Sequence, residues 1–435
     1  MSGWASGQAL SGSFDILTYN VAGLPEPISG SDPAVNTPLI SQRLSNYSIV
    51  HVQEDFGYHS ELLSSDTHFY RTSHSGNVPL GNGLNALSSY PWSDHQRRTW
   101  AACWPNSGDC LAAKGFTAMR IQLDDGVVVD FYNLHAEAGD DKLDFQARTV
   151  GFQQMSNFIG TYSLGNAVVV AGDTNTRYTS SQDPARLLKE KNGLADVWVE
   201  LFRGGNPPGH GGSIECRFPV PAGQERMDCE QIDKVHYRGN RLLRLAATDF
   251  INQNTAFLTA SGGPLSDHFP NQAVFDYELS PSMRAGPRIV GGTHSTWFND
   301  ATGGSVGSWG DATARAVVSS ITLRGGSRVD KVAYTMSDGR KIPHGGSGGG
   351  DRTLKLDAGE NINRVEVCIG VRSGGSRGVF SVTVDTDRGR SVRTGSGTGE
   401  CEVWTPPSGG TWTLVGFQGW TGSEVDALGV VWGKR

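Results

Sequence analysis

Hydrophobic and polar positions follow two different patterns along the 435 residues, and the pattern changes near residue 283. Before that point, short apolar runs typical of buried strands alternate with stretches whose apolar residues recur at helical spacing. After it, the chain is rich in glycine, has almost no helix signal and consists of short strand-like runs separated by glycine turns. We therefore predict two domains, 1–283 with α and β elements and 284–435 composed of strands, with a linker at 280–287.

Several apolar runs of the first domain end in a polar residue capable of chemistry. FDILTYN, YSIVHVQE, VVVDFYNLH and NAVVVAGDTN are such runs, QIDKVHY contains one at its start, and SDHF precedes the strand QAVFDYEL. Sheets covered by helices commonly form their sites where strands end, and QARTVGFQQMSNFI and PARLLKEKNG have the apolar spacing of covering helices. The pattern alone predicts an α/β or α+β domain whose site contains Asn20, Glu54, His135, Asp173, Asn175, Asp233, Asp267 and His268.

Charge is distributed unevenly between the two predicted domains. Up to Met283 there are 19 Lys and Arg residues against 30 Asp and Glu residues, and from Arg284 onward there are 18 against 14. An acidic domain gains little from counterion release, so it is a poor candidate for non-specific binding to duplex nucleic acid. It is a natural place for a metal site rich in carboxylates. No apolar run reaches the ~18 residues that suggest a membrane span.

The six cysteines lie in three segments, two in each. An even count with local spacing favours three disulfides, and hence a secreted, extracellular protein, over six unpaired core thiols. The first residues lack the charged and apolar regions of a signal peptide, so we expect a mature form with an added Met. The expected disulfides are Cys103–Cys110, Cys216–Cys229 and Cys368–Cys401.

Six short segments resemble the DNase I-like endonuclease/exonuclease/phosphatase superfamily over residues 14–278. Each segment is weak evidence alone, but their order and their places at strand ends make the combination specific. The resemblance implies an α+β fold, a four-layered α/β/β/α sandwich, that hydrolyses phosphodiesters with a divalent metal. The segments are TYN (18–20), VQE (52–54), NLH (133–135), GDTN (172–175), QID (231–233) and SDH (266–268).

The resemblance also implies a metal site. Glu54 is the expected ligand, because a hard cation such as Mg²⁺ prefers carboxylate oxygen. Asn20 and Asp267 are expected to complete the coordination, directly or through water. Mn²⁺ and Ca²⁺ are alternatives to Mg²⁺.

The remaining residues match the acid, base and positioning groups that phosphodiester hydrolysis requires. His268 resembles the general base of the superfamily, and Asp233 would hold its ring in the productive tautomer. Asp173 and Asn175 would position the attacking water and a phosphate oxygen. His135 would donate a hydrogen bond to the phosphate or protonate the leaving group, and the sequence leaves open which histidine is acid and which is base.

Features of the loops favour a lipid phosphodiester over nucleic acid. Segments 81–92, 108–116 and 131–139 resemble sphingomyelinases, although Glu137 replaces the usual glutamine. Nucleases and phosphomonoesterases of the superfamily remain alternatives. Tryptophans near a disulfide-bonded loop can seat an enzyme among lipid headgroups, and packing inside the protein is an equal alternative for Trp92, Trp100 and Trp104.

Residues 287–433 resemble jacalin-related lectins, which implies a β-prism of three sheets and a mannose-type ligand. The supporting segments include GGTHSTWFND (291–300), HGGSGGG (344–350) and the loop 422–426, which has the G-x-x-x-D form. The sequence WFND and the segment 373–378 depart from the usual pattern, and a prism that only stabilises the enzyme is the alternative. The expected carbohydrate-binding residues are Gly291, Gly292, Gly422, Ser423, Glu424 and Asp426.

Together these features predict a secreted, Mg²⁺-dependent phosphodiesterase of the phospholipase C type. Its substrate would be a sphingolipid, a phosphoinositol lipid or a glycolipid anchor, and the lectin would recruit it to glycans beside a membrane. A mannose-bearing phosphoinositol lipid would satisfy both sites. The alternatives are a secreted endonuclease and a glycan-binding toxin or adhesin with incidental hydrolase activity; no specific nucleic acid is expected.

Overall fold

The computed structural model of the protein describes residues 10–26, 28–107, 109–219, 223, 225, 229–302 and 317–435. Residues 1–9, on which the expectation of a mature N-terminus depends, lie outside this set. Within it, no helix has both the length and the apolar character needed to cross a membrane. The three expected disulfides are confirmed.

The described N-terminal residues contain twelve strands and five α-helices. The strands are β1 (Ser11–Asn20), β2 (Ile49–Gln53), β3 (Tyr70–Arg71), β4 (Asn85–Ser88), β5 (Trp92–Thr99), β6 (Gly115–Asp124), β7 (Val127–His135), β8 (Ala167–Asp173), β9 (Ala195–Asp196), β10 (Asp233–Arg238), β11 (Leu243–Asn252) and β12 (Asn271–Leu279). The helices are α1 (Pro33–Leu44), α2 (His59–Leu62), α3 (Lys142–Tyr162), α4 (Leu187–Asn192) and α5 (Val197–Arg203).

These strands form two six-stranded sheets that pack face to face. One has the order β11-β12-β1-β2-β4-β3 and the other the order β5-β6-β7-β8-β10-β9. Between them lies a buried core that includes Phe14, Phe131, Val169 and Phe275. Because each central strand has helices on its other side, both of its faces are buried, which is why the sequence shows continuous apolar runs there.

The helices form the two outer layers of the sandwich. Helix α3 packs Phe152, Met155 and Ile159 against the outward-facing side chains of β7 and β8, and the paired side chains of Asp141 and Asp144 cap its first turn. Helix α1 buries its apolar residues against β1 and β2. The four-layered α/β/β/α arrangement is thus confirmed.

The described C-terminal residues contain thirteen strands in three sheets around one buried core. The three-sheet β-prism is therefore confirmed. The sheets have the orders β13-β25-β24-β15 (with β14 also beside β25), β18-β17-β16-β19 and β22-β21-β20-β23. The strands are β13 (Met283–Ala285), β14 (Val290–Gly291), β15 (Thr296–Asn299), β16 (Val318–Gly325), β17 (Val329–Met336), β18 (Lys341–Gly345), β19 (Gly350–Lys355), β20 (Ile362–Val371), β21 (Arg377–Thr386), β22 (Ser391–Gly395), β23 (Glu400–Trp404), β24 (Trp412–Thr421) and β25 (Val425–Lys434).

The segment 280–287, expected to be a linker, contains strand β13. Met283 pairs with Gly433 near the end of the last strand, and both Met283 and Ala285 are buried. The backbone of this segment therefore takes part in the prism instead of spanning a gap. The division after residue 283 remains a proposal.

A buried arginine joins the two domains. Arg120 of β6 forms an ion pair with Asp130 at 2.7 Å, and its guanidinium carbon lies 3.8 Å from the ring centre of Trp297 and 4.6 Å from that of Trp420. Cation–π contacts of a guanidinium gain strength when water is excluded. The N-terminal domain and the prism therefore share a packed contact.

The contact lies at one end of the sandwich. Gly126, in the turn before β7, donates its backbone N–H to Pro287, and Asn299 donates to Asn166, which precedes β8. These are the starts of strands whose ends carry His135 and Asp173. A strand the length of β7 spans about 25 Å, so the prism lies at the end of the sandwich opposite those residues.

Candidate active site

The strand ends of the two sheets bring most of the expected site residues together at one end of the sandwich. We call this end, where the side chains of Asn20, Glu54, His135, Asp173 and His268 meet, the mouth. In one sheet His135, Asp173 and Asp233 are direct neighbours across β7, β8 and β10. In the other sheet Asn20 ends β1 beside the end of β2, and Glu54 follows β2. Polar groups from distant parts of the chain therefore meet because the buried strands that carry them end at the same level.

The side-chain amide of Asn20 links the two sheets at this mouth. Its Nδ2 donates to Glu54 Oε1 at 3.2 Å and to Asp173 Oδ2 at 3.3 Å. Its Oδ1 accepts from the backbone N–H of Ala22 at 3.1 Å, which fixes the orientation of the amide. The Ser266 hydroxyl donates to the backbone oxygen of Asn20 at 2.7 Å. One buried amide thus holds two carboxylates side by side.

His268 stands between two aspartates. Its Nδ1 lies 3.1 Å from Asp233 Oδ2, and its Nε2 lies 3.8 Å from Asp173 Oδ2. Burial alone would lower the pKa of His268, but the Asp233 and Asp173 carboxylates outweigh burial and raise it to about 10. The Asp233 contact also fixes which ring nitrogen faces the mouth.

His135 experiences the opposite electrostatic effect. Its Nε2 lies 3.3 Å from Asp173 Oδ2 and 4.0 Å from Glu54 Oε1. Complete burial, followed by the positive charges of Lys114 and His268, holds the pKa of His135 well below its usual range. The two histidines of one site therefore favour different protonation states.

The carboxylates at the mouth fit a divalent cation. Burial raises the pKa of Glu54, and burial together with Asp233 raises that of Asp173 to about 6. Raised values mean that the protein itself does not fully compensate the two negative charges. Hard oxygen ligands with uncompensated charge suit Mg²⁺ and similar ions, and the Glu54 side chain retains 18% of its exposure toward the mouth.

Two of the expected residues lie at the edge of this cluster. Asp267 is exposed, its Oδ1 accepts from the Ser266 hydroxyl at 3.4 Å, and its negative charge acts on Glu54. Asn175 donates its backbone N–H to Asp173 Oδ1 at 3.0 Å and its Nδ2 to the backbone oxygen of Ala136 at 3.1 Å. Both are near the mouth, and among the described residues it is Asn20 that donates a side-chain hydrogen bond to Glu54.

Lys114 is a site residue that sequence reasoning did not single out. It forms an ion pair with Asp109 at 2.7 Å, and its positive charge acts on Glu54, Asp173 and His135. The Lys-Gly pair in segment 108–116 was the available signal. A cation fixed beside the mouth would attract a phosphate group.

A second polar group lies directly behind Glu54. Asp55, His59 and His74 bring potential ligand atoms within 4.8 Å of one another. Asp55 Oδ2 already accepts from Asn85 at 2.6 Å and lies 2.6 Å from His59 Nδ1, while the two imidazole rings stack 4.5 Å apart. Hydrogen bonds and stacking account for this group within the described residues.

Large apolar side chains stand exposed on the loops around the mouth. A Cβ on Gly30 would lie 2.4 Å from Asp267 Oδ2, which places the loop of Ile28 beside the mouth. The ring of Phe218 lies 5.0 Å from that of Phe269, the residue after His268. A third loop joins the disulfide-bonded segment through the bond from Ala113 N–H to the Gly81 oxygen. The side chains of these loops that are 42% to 86% exposed, which we call the apolar rim, are Ile28, Leu80, Leu111 and Phe218.

The tryptophans singled out in the sequence are not among those exposed side chains. Trp100 donates its ring N–H to the His135 backbone oxygen at 2.7 Å and packs against Phe116. Trp92 packs against Tyr70. Packing inside the protein therefore accounts for Trp92 and Trp100, and the exposed rim is aliphatic and phenylalanine.

Comparisons with known proteins match both halves of the chain. Residues 33–203 match the model of Endonuclease/Exonuclease/phosphatase family 2, and residues 299–431 match that of the jacalin-like lectin domain. A sphingomyelinase of Mycobacterium tuberculosis is 35% identical over 277 residues, covering 62% of this chain and 54% of that protein. Horcolin of Hordeum vulgare is 31% identical over 134 residues, covering 29% of this chain and 90% of horcolin.

The C-terminal region belongs to the jacalin-like lectin family. The combination of an endonuclease/exonuclease/phosphatase domain with a jacalin-like domain is confirmed, and the chain spans about half the length of the sphingomyelinase it matches. Among solved structures, a beta toxin mutant from Staphylococcus aureus with bound magnesium ions is 17% identical, covers 60% of this chain and 99% of its own, and superposes with a TM-score of 0.43.

The expected carbohydrate loops of the jacalin-like domain lie beside one another. Gly291 pairs with Ala427, and the Gly292 backbone N–H donates to the Asp426 backbone oxygen at 2.9 Å. Gly422 and Ser423 are exposed, and the Gly422 N–H donates to the Glu424 oxygen at 2.9 Å. The six expected residues therefore lie on adjoining loops, of which the Asp426 side chain is buried.

We predict that Asp233→Asn lowers the pKa of His268 from about 10 toward its ordinary value of about 6.5. The substitution removes the negative charge that contributes most to stabilising the imidazolium, so the proton is lost at lower pH. Titration of the His268 ring signals by NMR measures this. Asp276→Asn, an exposed position on β12, is the control, and an unchanged His268 pKa in Asp233→Asn would contradict the assignment.

Proposed function

We propose that the chain is a divalent-metal-dependent phosphodiesterase of the phospholipase C type that cleaves a sphingolipid or a related phosphodiester lipid. The observation that carries the proposal is the mouth in which Asn20 holds Glu54 beside Asp173 while His268 pairs with Asp233. This set contains the metal, base and positioning groups that phosphodiester hydrolysis needs. The relative named as a sphingomyelinase supports the lipid substrate.

Glu54 would hold the cation, with the rim residue Asp267 completing its surroundings directly or through water. Asn20, expected as a further ligand, turns its Nδ2 donor toward the two carboxylates. Mg²⁺, or Mn²⁺ or Ca²⁺ in its place, would neutralise phosphate charge and stabilise the leaving oxygen. Asn20 contributes orientation, since its amide fixes the separation of the two carboxylates. Lys114 adds a permanent positive charge beside the phosphate.

The two histidines would divide the proton transfers. His268, held by Asp233, turns Nε2 toward the mouth, and the two aspartates favour its protonated form. A cation bound beside these carboxylates would offset their charge, and the neutral ring could then accept a proton from the attacking water. His135 would donate an Nε2 hydrogen bond to a phosphate oxygen or to the departing oxygen. Water adds to phosphorus, the bond from phosphorus to the lipid oxygen breaks, and a lipid alcohol and a phosphorylated headgroup leave.

The exposed rim favours a membrane over a nucleic-acid substrate. Four large apolar side chains are exposed on loops near the mouth, and a soluble duplex offers them nothing to pack against. Inserting such side chains into the headgroup region removes apolar area from water. The N-terminal domain is also acidic, which disfavours a polyanion. We infer that the rim seats the mouth on a lipid surface.

The jacalin-like domain would bind a mannose-type glycan on a different molecule from the lipid being cleaved. The prism contacts the end of the sandwich opposite the mouth, a strand length of about 25 Å away. A glycan standing above the membrane would reach the prism without occupying the mouth and would raise the local enzyme concentration. A mannose-bearing phosphoinositol lipid or anchor that reaches both sites stays the alternative. Disulfides support an extracellular setting for both steps.

A substrate panel tests the activity. We expect Mg²⁺-dependent headgroup release from sphingomyelin or phosphoinositol sphingolipid vesicles, and little cleavage of plasmid DNA or inositol phosphates. Glu54→Gln should lower the rate by at least about 100-fold, because it removes the carboxylate charge that holds the cation. The protein should remain folded, as checked by thermal unfolding.

Glu278→Gln, a partly exposed position on β12 whose partner is Arg244, is the matched control and should retain full activity. Equal rates in Mg²⁺ and in chelator, or an active Glu54→Gln protein, would overturn the metal assignment. Cleavage of DNA at a higher rate than any lipid would establish the nuclease instead.

Substitutions in the rim separate membrane contact from chemistry. Leu80→Asp and Leu111→Asp should each lower activity on lipid vesicles by about tenfold or more, since each removes an apolar contact of about 1.5 kcal/mol or more and adds a charge. Activity on a water-soluble phosphodiester such as bis(p-nitrophenyl) phosphate should be unchanged. Leu10→Asp, exposed near the start of β1, is the control.

The ratio of activity on lipid vesicles to activity on the water-soluble phosphodiester shows whether the rim contacts lipid. A loss on both substrates would indicate damage to the mouth, and no loss on vesicles would mean that the rim does not contact lipid.

A further inference from the structure

The carboxylate expected to receive sugar hydroxyls is occupied by an arginine of the same domain. Arg372 Nη2 lies 2.7 Å from Asp426 Oδ1. The other oxygen, Oδ2, is buried and has no hydrogen-bond partner among the described residues, and the Asp426 side chain is only 7% exposed. In this arrangement neither oxygen of Asp426 is open to a ligand.

Arg372 is held in place by further contacts. Its Nε lies 3.3 Å from Glu424 Oε2, and its Nη1 donates to the backbone oxygen of Arg377 at 3.3 Å. Arg328 binds the other oxygen of Glu424 at 2.5 Å. Two arginines and two carboxylates therefore balance one another's charge across the loops that face the expected sugar, although Arg372 Nε and Nη2 make no hydrogen bond of good geometry among the described residues.

The fold makes room for this arginine. A Cβ on Gly378 would lie 2.4 Å from Arg372 Nη2, so a glycine is needed for the guanidinium to lie where it does. The segment between Arg372 and Arg377 is Ser-Gly-Gly-Ser, and a Cβ on Gly374 or Gly375 would meet no atom within 4 Å. The loop 373–376 therefore has free space around its glycines, whereas the guanidinium of Arg372 is packed against Gly378.

We propose that Arg372 closes the sugar site of the jacalin-like domain, so that a hexose binds Asp426 only after the guanidinium has left it. The inference rests on the proposed glycan binding and adds how that site is regulated. Glu424 remains available to Arg372 when it moves, because Nε already faces it. The ligand is a neutral hexose, since two arginines and two carboxylates leave no net charge to select an anion.

Binding of methyl α-mannoside by isothermal titration tests the proposal on the full chain. Arg372→Ala should bind about tenfold more tightly than the unchanged protein, because hydroxyls no longer compete with a charged partner for Asp426. Gly378→Ala should also tighten binding, since it displaces the guanidinium without removing it. Arg388→Ala, an exposed arginine paired with Asp357, is the control and should leave affinity unchanged.

The remaining variants separate closure of the sugar site by Arg372, which we call the gate, from sugar binding itself. Adding Asp426→Ala to Arg372→Ala should abolish binding, which shows that the gained affinity comes from this carboxylate. If Arg372→Ala is folded by thermal unfolding and binds mannoside no better than the unchanged protein, the gate is overturned while glycan binding stands. If none of these proteins binds mannoside or any glycan on an array, glycan binding itself fails and the gate fails with it.

Discussion

The buried amide of Asn20 is the constraint on which the proposed chemistry depends. It comes from the first strand of one sheet, yet it bonds to Asp173 at the end of a strand in the other. Because it also holds Glu54, two carboxylates that would repel each other remain side by side, with pKa values raised by burial. Buried carboxylates with raised pKa values are typical of functional sites, and a bound cation would compensate this charge.

The same sandwich gives the molecule two distinct ends. Polar strand ends and an apolar rim form one end, while the other end is covered by the prism through Arg120 and the tryptophans Trp297 and Trp420. The mouth is therefore left free to meet a surface. A lectin fixed at the far end would hold the enzyme near glycans without obstructing the mouth. It would bind those glycans only when Arg372 has moved away from Asp426.

The sequence predicted what depends on local pattern. Strands buried on both faces produce continuous apolar runs, so their polar ends at Asn20, His135 and Asp173 were recognisable, and local cysteine spacing indicated the disulfides. Helix α1 went unnoticed because Pro38 lies inside it and its polar positions obscure the helical spacing. Lys114 pairs with nearby Asp109, but its charge acts on Glu54, Asp173 and His135, which are distant in the chain. Arg372 likewise reaches Glu424 and Asp426, and no local pattern indicates such long-range partners.

Anomalous scattering from a crystal grown with Mn²⁺ tests the central claim most directly. The account predicts a manganese peak within bonding distance of the Glu54 carboxylate, inside the mouth formed by Asn20, Asp173 and His268. A structure with no peak at Glu54, or with manganese bound only at Asp55, His59 and His74, would contradict it.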